Sequence, residues 1–533
     1  MYPTPRSHRP LIMGRNGAVG ANHPLAAQAG LDILRAGGNA FDAAVATSLA
    51  LGVVEPMMSG LGGDGFINVF VAASGTRTTY NGTGPAPIAA TAERYASGIP
   101  TRGPLAISVP GCLAGIAMMH AAHGRMPWSA LAGPAIEHAR HGYAATHGHR
   151  HFAHENQVSL AADPRSGPTF LNKSLGGLVI QEDLARTLEE IASEGADAFY
   201  RGPLARRLAA GLQAAGSLIT AEDLAAVTAQ EQAPVAIRYH GHTITQTGPN
   251  STGFTMLQIL KIAERFDLGG LDAAGRVHVL VEAKKLAFAD RETYGADPRF
   301  ETVPTDMLLS DAHADALAGR IDLRHAANIS LKQPQAANGD TTYFCVVDKD
   351  GNAVSAIQSI NGAFGSGVTA GDTGVLMNNR MAYWHLEPGH ANRLVPGKRV
   401  RHTMNAPMVF DKTGRLEAVL GTPGADNQVQ VNAQVAVAML DMGCDPQTAL
   451  ELPRWTSSQP GQGANYPHDG DYALSIEAEF GTDVLSDLAR RGHIIKRLDH
   501  LEGPCAMQAI RVLDNGVRMA ASDTRRDGWA GAY

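Results

Sequence analysis

The chain has 533 residues, of which 44% are hydrophobic and 18% charged, and its formal net charge is -7. These values exclude a disordered chain and a basic surface for nucleic acid or anionic membrane. The length allows one large wrapped domain or two to three smaller ones. No run of about 18 uncharged apolar residues is present, so no membrane span is expected. The opening stretch MYPTPRSHRPLIMGRNG has basic residues with no apolar run behind them. It does not read as a secretory signal, and a cytoplasmic location is expected. Cys112, Cys345, Cys444 and Cys505 are widely spaced and read as small buried hydrophobes in a reducing compartment.

In chain order, Pro24 marks a helix start, and Leu25 to Ala36 carries apolar residues at helical spacing. Gly37-Gly38 ends it. Asn39 caps a second helix, Ala40 to about Val54, which is apolar nearly all round and therefore expected to be buried. Gly60-Leu61-Gly62-Gly63-Asp64-Gly65 leads into the strand Phe66 to Val71. Glycines before a strand make a tight turn; a dinucleotide loop would follow a strand and open a helix. Residues 105–330 are alanine-rich and mainly helical in pattern. Arg276 to Tyr294 is an amphipathic helix, with Glu282, Lys284 and Lys285 read as a solvated face. THGHRHFAHE places His147, His149, His151 and His154 close together. Imidazoles so spaced can bind zinc or nickel, but no cysteine or carboxylate set completes a site apart from Glu155. A polar surface helix or loop is the expectation, with no metal or other cofactor.

Residues 330–340, SLKQPQAANGD, form a polar linker expected to be exposed. At Thr341 the pattern changes: Thr341 to Val347 is a dense β-branched and aromatic strand, Asp348 to Asn352 a hairpin turn, and Ala353 to Ile360 the returning strand. A threonine hydroxyl needs a base beside it to attack a carbonyl. Its own α-amine, with an ordinary pKa of about 7.7–8.0, becomes that base if the preceding peptide bond is cut. A cleavable loop before Thr341 and a rigid strand after it suit this use, although most Thr-Thr strand starts are merely β-formers.

TTYFCVVDKDGNAVSAIQSINGAFGSG resembles the signature of the γ-glutamyltranspeptidase family around its autocatalytic threonine. The likeness runs through GLDILRAGGNAFDAAVATSLALGVVEPMMSGLGGDGF, LVEAKKLAFADRETYGADP, MNNRMAYW, GKRVRHTMNAP, GTPGADNQ and the ending ASDTRRDGWAGAY. It implies an α+β fold, the four-layer αββα sandwich of the Ntn hydrolases. It also implies self-cleavage between Asp340 and Thr341 into a large subunit, 1–340, and a small one, 341–533, intertwined as one fold. A dimer of these pairs stays open. By resemblance, Thr341 is the nucleophile and, through its free amine, the base. Ser359 matches the residue that hydrogen-bonds it, and the backbone N–H groups of Gly424 and Ala425 match the oxyanion hole. Asn361 matches a substrate-site asparagine; beside Gly362 it reads equally as a turn residue.

The departures bear on substrate. Asn81 stands where the family's carboxylate-binding arginine is expected, Tyr383 where its ammonium-binding aspartate is, and His402-Thr403 where paired serines are. Arg380 and Arg401 are added; they are carboxylate anchors or they pair with protein acids. The substrate implied is a small amide with a carboxylate and no α-amine. Oxamate, cleaved to oxalate and ammonia, is the first candidate; γ-glutamyl and glutaryl-type (cephalosporin) groups are the alternatives. The partner expected is this small molecule, with no nucleic acid and no membrane.

Overall fold

The computed structural model describes residues 7–328, 341–459 and 472–533. Two seven-stranded antiparallel sheets stack face to face, with helices on both outer sides. One sheet runs Trp529–Ala532, Gly17–Ala21, Thr342–Asp348, Ala353–Ser359, Asp64–Val71, Thr76–Gly82 and Gln230–Gln232 in spatial order. The other runs Ile12–Gly14, Arg518–Ser522, Gln508–Val512, Leu416–Gly421, Met408–Phe410, His242–Gln246 and Val235–Tyr239. Each sheet therefore takes strands from both sides of position 341, and the two halves of the chain share one αββα sandwich.

Antiparallel sheets usually leave one face to water. Here the central strands are covered on both faces, which accounts for their near-continuous apolar sequence. Along Thr342–Asp348 the alternation separates two layers. Phe344 and Val346 pack with Phe41, Val45 and Leu49 of the first helical layer. Tyr343, Cys345 and Val347 pack with Met408, Phe410, Val419 and Ile510 of the opposite sheet. Beyond that sheet, Ile244, Val409 and Leu420 pack with Leu257, Val281, Phe288 and Val431 of the second helical layer.

The N-terminal helices form at Pro24–Arg35 and Ala40–Val54. Asn39 caps the second: its side-chain oxygen accepts from the N–H groups of Phe41 and Asp42, and the Asp42 carboxylate accepts from the Asn39 N–H. The strand read as Phe66 to Val71 begins at Asp64, and the hairpin pairs Thr342–Asp348 with Ala353–Ser359. The 105–330 stretch is mainly helical, but Gln230–Gln232, Val235–Tyr239 and His242–Gln246 interrupt it as edge strands, turned at His240 and Gly241 with positive φ. Cys112, Cys345 and Cys505 are buried, Cys444 is partly buried, and all four are free thiols. No helix among the described residues is long and apolar enough to cross a membrane. The linker 330–340 lies outside the described residues.

One expectation is corrected. The mid-chain helix spans Ala273–Tyr294, capped by Asp272, and Glu282, Lys284 and Lys285 are buried rather than solvated. The cause is tertiary. Lys284 Nζ donates to the carbonyls of Ser457 and Gln459, both at 2.6 Å. Lys285 Nζ donates to Glu282 Oε1 at 2.7 Å and to the Ala327 carbonyl at 2.8 Å. The other oxygen of Glu282 accepts from the Ala327 N–H at 3.0 Å. These charges tie two loop roots to the helix. Burial pushes both lysine ammonium groups below their ordinary pKa, with Glu282 partly offsetting this for Lys285.

Glu282→Ala strips the buried Lys285 of its ion partner, a loss of about 3–5 kcal/mol. The expected outcome is a melting temperature lower by several degrees in a scanning fluorimetry ramp. Adding Lys285→Met should recover much of it, and a single variant that melts with the wild type would contradict the account.

Candidate active site

Thr341 sits directly before the central strand and is buried. Its Oγ donates to Ser359 Oγ at 3.2 Å. Strand register brings the two together: Thr342 pairs with Gln358, so Ser359 ends the return strand beside Thr341, and Ser359 pairs in turn with Asp64 on the next strand. The glycine run makes this approach possible, since a Cβ on Gly63 would collide with the Ser359 carbonyl. Ser359 Oγ also accepts from the Asn361 N–H at 2.7 Å. Asn361 has φ +79°, a conformation asparagine tolerates better than most residues. Its side chain donates to the Asn379 carbonyl at 3.1 Å and accepts from Arg380 Nη1 at 3.3 Å. Asn361 is therefore a turn residue and a bridge at once.

Arg380 is 1% exposed. Its guanidinium lies over the Tyr383 ring, 4.7 Å from the centroid, and its Nε is 3.5 Å from Asp64 Oδ2. Nε and Nη2 have no hydrogen-bond partner among the described residues. The Tyr383 hydroxyl is 3.1 Å from Thr403 Oγ1. His402 places Nε2 3.7 Å from the same Asp64 oxygen, and both its ring nitrogens lack hydrogen-bond partners. Burial, with Arg380 and Arg399 nearby, pushes the His402 pKa well down, so the ring is neutral. Asp64 accepts from the Gly84 N–H at 2.8 Å. Burial raises its carboxyl to about 6, against the pull of Arg380. Sequence reasoning passed over Asp64 because it stands inside a glycine run. The available signal was an acid leading directly into a strong strand, which pairs with Ser359 at Asp64 itself.

The other expected residues are arranged differently. Arg401 Nη1 is held by Glu292 Oε2 at 2.9 Å. Glu292 also accepts from Arg291, which pairs with Asp426 beside Ala425. Burial would raise the Glu292 carboxyl, but Arg401 and Arg291 hold it far below the usual range. Asn81 is closed in on the protein: it donates to Asn250 Oδ1 at 2.9 Å and accepts from the Thr83 N–H at 3.1 Å. Asp340 lies outside the described residues.

Gly424 and Ala425 follow the strand Leu416–Gly421, with φ +123° and +48°. The strand end packs against the Tyr343 ring at Gly421. The turn is braced from one side: Thr422 Oγ1 accepts from the Ala506 N–H at 3.0 Å, and a side chain at Gly424 would collide with Cys505 Sγ.

The imidazoles of the His147–Glu155 helix do not converge. His149 is buried, with its ring nitrogens 3.3 Å from the Tyr143 hydroxyl and 3.1 Å from the Phe170 carbonyl. His151 is exposed and pairs with Glu155 at 3.4 Å. Among the described residues, three ligand atoms come together at His278, Glu282 and His493, and at Glu292, His385 and His390. In both, the carboxylate is already engaged by cationic side chains, Lys285 in one and Arg291 and Arg401 in the other.

Comparison with known proteins bears directly on this site. The Gamma-glutamyltranspeptidase family profile matches residues 26–533. The chain belongs to that family. It is similar to the glutathione hydrolase-like YwrD proenzyme of Bacillus subtilis, 37% identical across 97% of this chain and 99% of that one. It is as similar to the oxamate amidohydrolase proenzyme of Klebsiella pneumoniae, 36% identical across 97% and 98%. The crystal structure of cephalosporin acylase from Bacillus halodurans superposes with a TM-score of 0.91 at 33% identity, covering 100% of this chain and 98% of that one. As a family member, the chain is an amide-cleaving enzyme of the Ntn-hydrolase class.

Gly424→Ala meets both the Cys505 side chain and the positive φ, a conformation that costs about 1–3 kcal/mol with a side chain. A melting temperature lower by a few degrees is expected in a circular dichroism melt. Adding Cys505→Ala should restore only part of it, because the backbone strain stays.

Proposed function

We propose that the chain cuts itself before Thr341 and then hydrolyses the amide of a small carboxylate-bearing substrate. The observation that carries this reading is the buried Thr341 hydroxyl, hydrogen-bonded to Ser359 at the head of a rigid central strand. In processing, Thr341 Oγ attacks the carbonyl carbon of Asp340. The C–N bond breaks, an ester forms, and Thr341 gains a free α-amine. Water cleaves the ester, leaving residues 1–340 with a new carboxylate end and residues 341–533 with Thr341 first.

In catalysis the α-amine takes the proton from Thr341 Oγ, and the oxygen attacks the substrate carbonyl. The N–H groups of Gly424 and Ala425 hold the developing oxyanion, each worth about 10²–10³ in rate. The amine hands its proton to the leaving nitrogen, and water then releases the acid from the ester. Ser359 orients the hydroxyl.

Arg380 is the anchor for the substrate carboxylate, supported by its two unpartnered buried nitrogens. Arg401, committed to Glu292, is not offered for that role. The position of the family's ammonium-binding acid is occupied by Tyr383, whose hydroxyl meets Thr403. A substrate ammonium placed there would lack an ion partner at a cost of several kcal/mol. This favours amides such as oxamate over γ-glutamyl compounds.

Purified wild type is expected to run on a denaturing gel as two bands, for residues 1–340 and 341–533. Thr341→Ala should stay as one uncut, inactive chain; cutting that persists would remove Thr341 as nucleophile. Oxamate, glutaryl-p-nitroanilide and γ-glutamyl-p-nitroanilide, offered side by side, should rank the carboxylate amides without an α-amine first. Arg380→Gln should raise KM for these by about tenfold or more, consistent with loss of a charge-assisted bond, with processing unchanged. Preference for the γ-glutamyl compound would overturn the substrate assignment.

A further inference from the structure

Among the described residues, Arg380 Nε and Nη2, Asp64 Oδ2, and His402 Nδ1 and Nε2 are buried with no hydrogen-bond partner. Five such atoms on three side chains are out of proportion, because buried polar groups are ordinarily satisfied. They also share one place: Asp64 Oδ2 is 3.5 Å from Arg380 Nε and 3.7 Å from His402 Nε2. Buried Arg525 is met by Glu477 and Asp523, whereas buried Arg399, near the same acid, also leaves Nε and Nη1 without a hydrogen-bond partner among the described residues. The Asp64–Arg380 contact is longer and lacks hydrogen-bond geometry.

This cluster adjoins the nucleophile. Asp64 and Ser359 are direct partners on neighbouring strands, so their side chains share one face. The strands are about 4.8 Å apart. Arg380 reaches the same spot through Asn361, which touches Ser359. A group held there is only a few bonds from a carbonyl poised over Thr341.

We propose that Asp64, Arg380 and His402 form the subsite for the anionic end of the substrate, and that Asp64 decides whether an anion binds. The proposal rests on the reading of Thr341 as the nucleophile of an amide hydrolase. With Asp64 neutral, the free edge of Arg380 is left to a carboxylate, and the carboxyl O–H can donate to it as well. With Asp64 ionised, its charge offsets Arg380 and repels the ligand. His402 contributes a neutral ring N–H at one wall.

The groups facing Asp64 set the pH range. Arg380 and Arg399 are cationic; burial lowers Arg399 only to about 10. His402 stays neutral because burial holds its pKa well below the usual value. Burial keeps the nearby Cys112 thiol far above its ordinary value, so it is neutral as well. Asp64 is thus the group that changes charge near pH 6, where burial has raised it. Anion affinity should be full below that pH and fall as pH rises through it.

The test is titration calorimetry of the purified protein between pH 5.5 and 7, below the range in which the free α-amine of Thr341 titrates. The probes are oxalate and butane-1-sulfonate, which stay anionic throughout, with butyramide as the uncharged control. In the wild type, Kd for an anion should rise by about tenfold per pH unit above 6, the slope of one linked proton. Asp64→Asn keeps the acceptor for Gly84 and removes the charge; it should bind the anion tightly and without pH dependence. Arg380→Gln should abolish anion binding, and butyramide should show no pH effect. A wild-type Kd that is flat with pH overturns the proposal, whether or not the variants fold. So does an Asp64→Asn protein that keeps the wild-type slope, or failure of both anions to bind. Hydrolysis is measured separately. PH-linked anion binding without turnover of any amide would fault the proposed reaction alone, and turnover with pH-flat binding would fault the subsite alone.

Discussion

The register of three central strands is the constraint on which the site depends. Thr342 opposite Gln358 and Ser359 opposite Asp64 place a hydroxyl, its hydrogen-bond partner and a buried acid in one row. A slip of one residue would turn Ser359 to the other face of the sheet and part it from Thr341. The strands resist such a slip because both faces are buried, with Phe344 and Val346 committed to one layer and Tyr343, Cys345 and Val347 to the other. Glycines 62 and 63 permit the close approach at the strand end, since a side chain at either would strike a backbone carbonyl. Core packing and site geometry are the same feature seen from two sides.

Buried charge is handled in two ways. Around Glu292, charges are matched: Arg401 and Arg291 share its carboxylate, and Arg291 passes on to Asp426 beside the Gly424–Ala425 turn. Along the same helix, Lys284 and Lys285 meet carbonyls and Glu282. Such networks hold a loop where it must be, and a missing member leaves a buried charge exposed to its full desolvation cost. At Arg380 the matching is incomplete. An arginine with two unused nitrogens, facing an acid whose carboxyl is raised toward neutrality, is an arrangement suited to a ligand that completes it.

The relatives place weight on these few side chains. A glutathione hydrolase-like proenzyme and an oxamate amidohydrolase proenzyme are nearly equally similar to this chain over nearly its full length, and a cephalosporin acylase has almost the same backbone. A shared scaffold therefore says little about the acyl group accepted; function is set by the side chains placed on it.

The chain order of helices and strands was legible in the sequence because caps, glycines and alternation act locally. Asn39, Gly37 and the hairpin at 348–352 fall where they were read, and the ordered motifs along the chain identified the family. Other features depended on partners far along the chain. The charges on the Ala273–Tyr294 helix read as solvated, yet residues 327 and 457–459 cover them. Arg380 and Arg401 looked alike as added cations, but only Arg401 meets a nearby acid at hydrogen-bonding distance. Asp64 was hidden in a turn motif. Sequence alone determined the fold class, the family and the candidate nucleophile, since these rest on short-range pattern and ordered motifs. Tertiary structure alone decided which buried charge is satisfied and which is left without a hydrogen-bond partner, because that balance is struck between residues hundreds of positions apart.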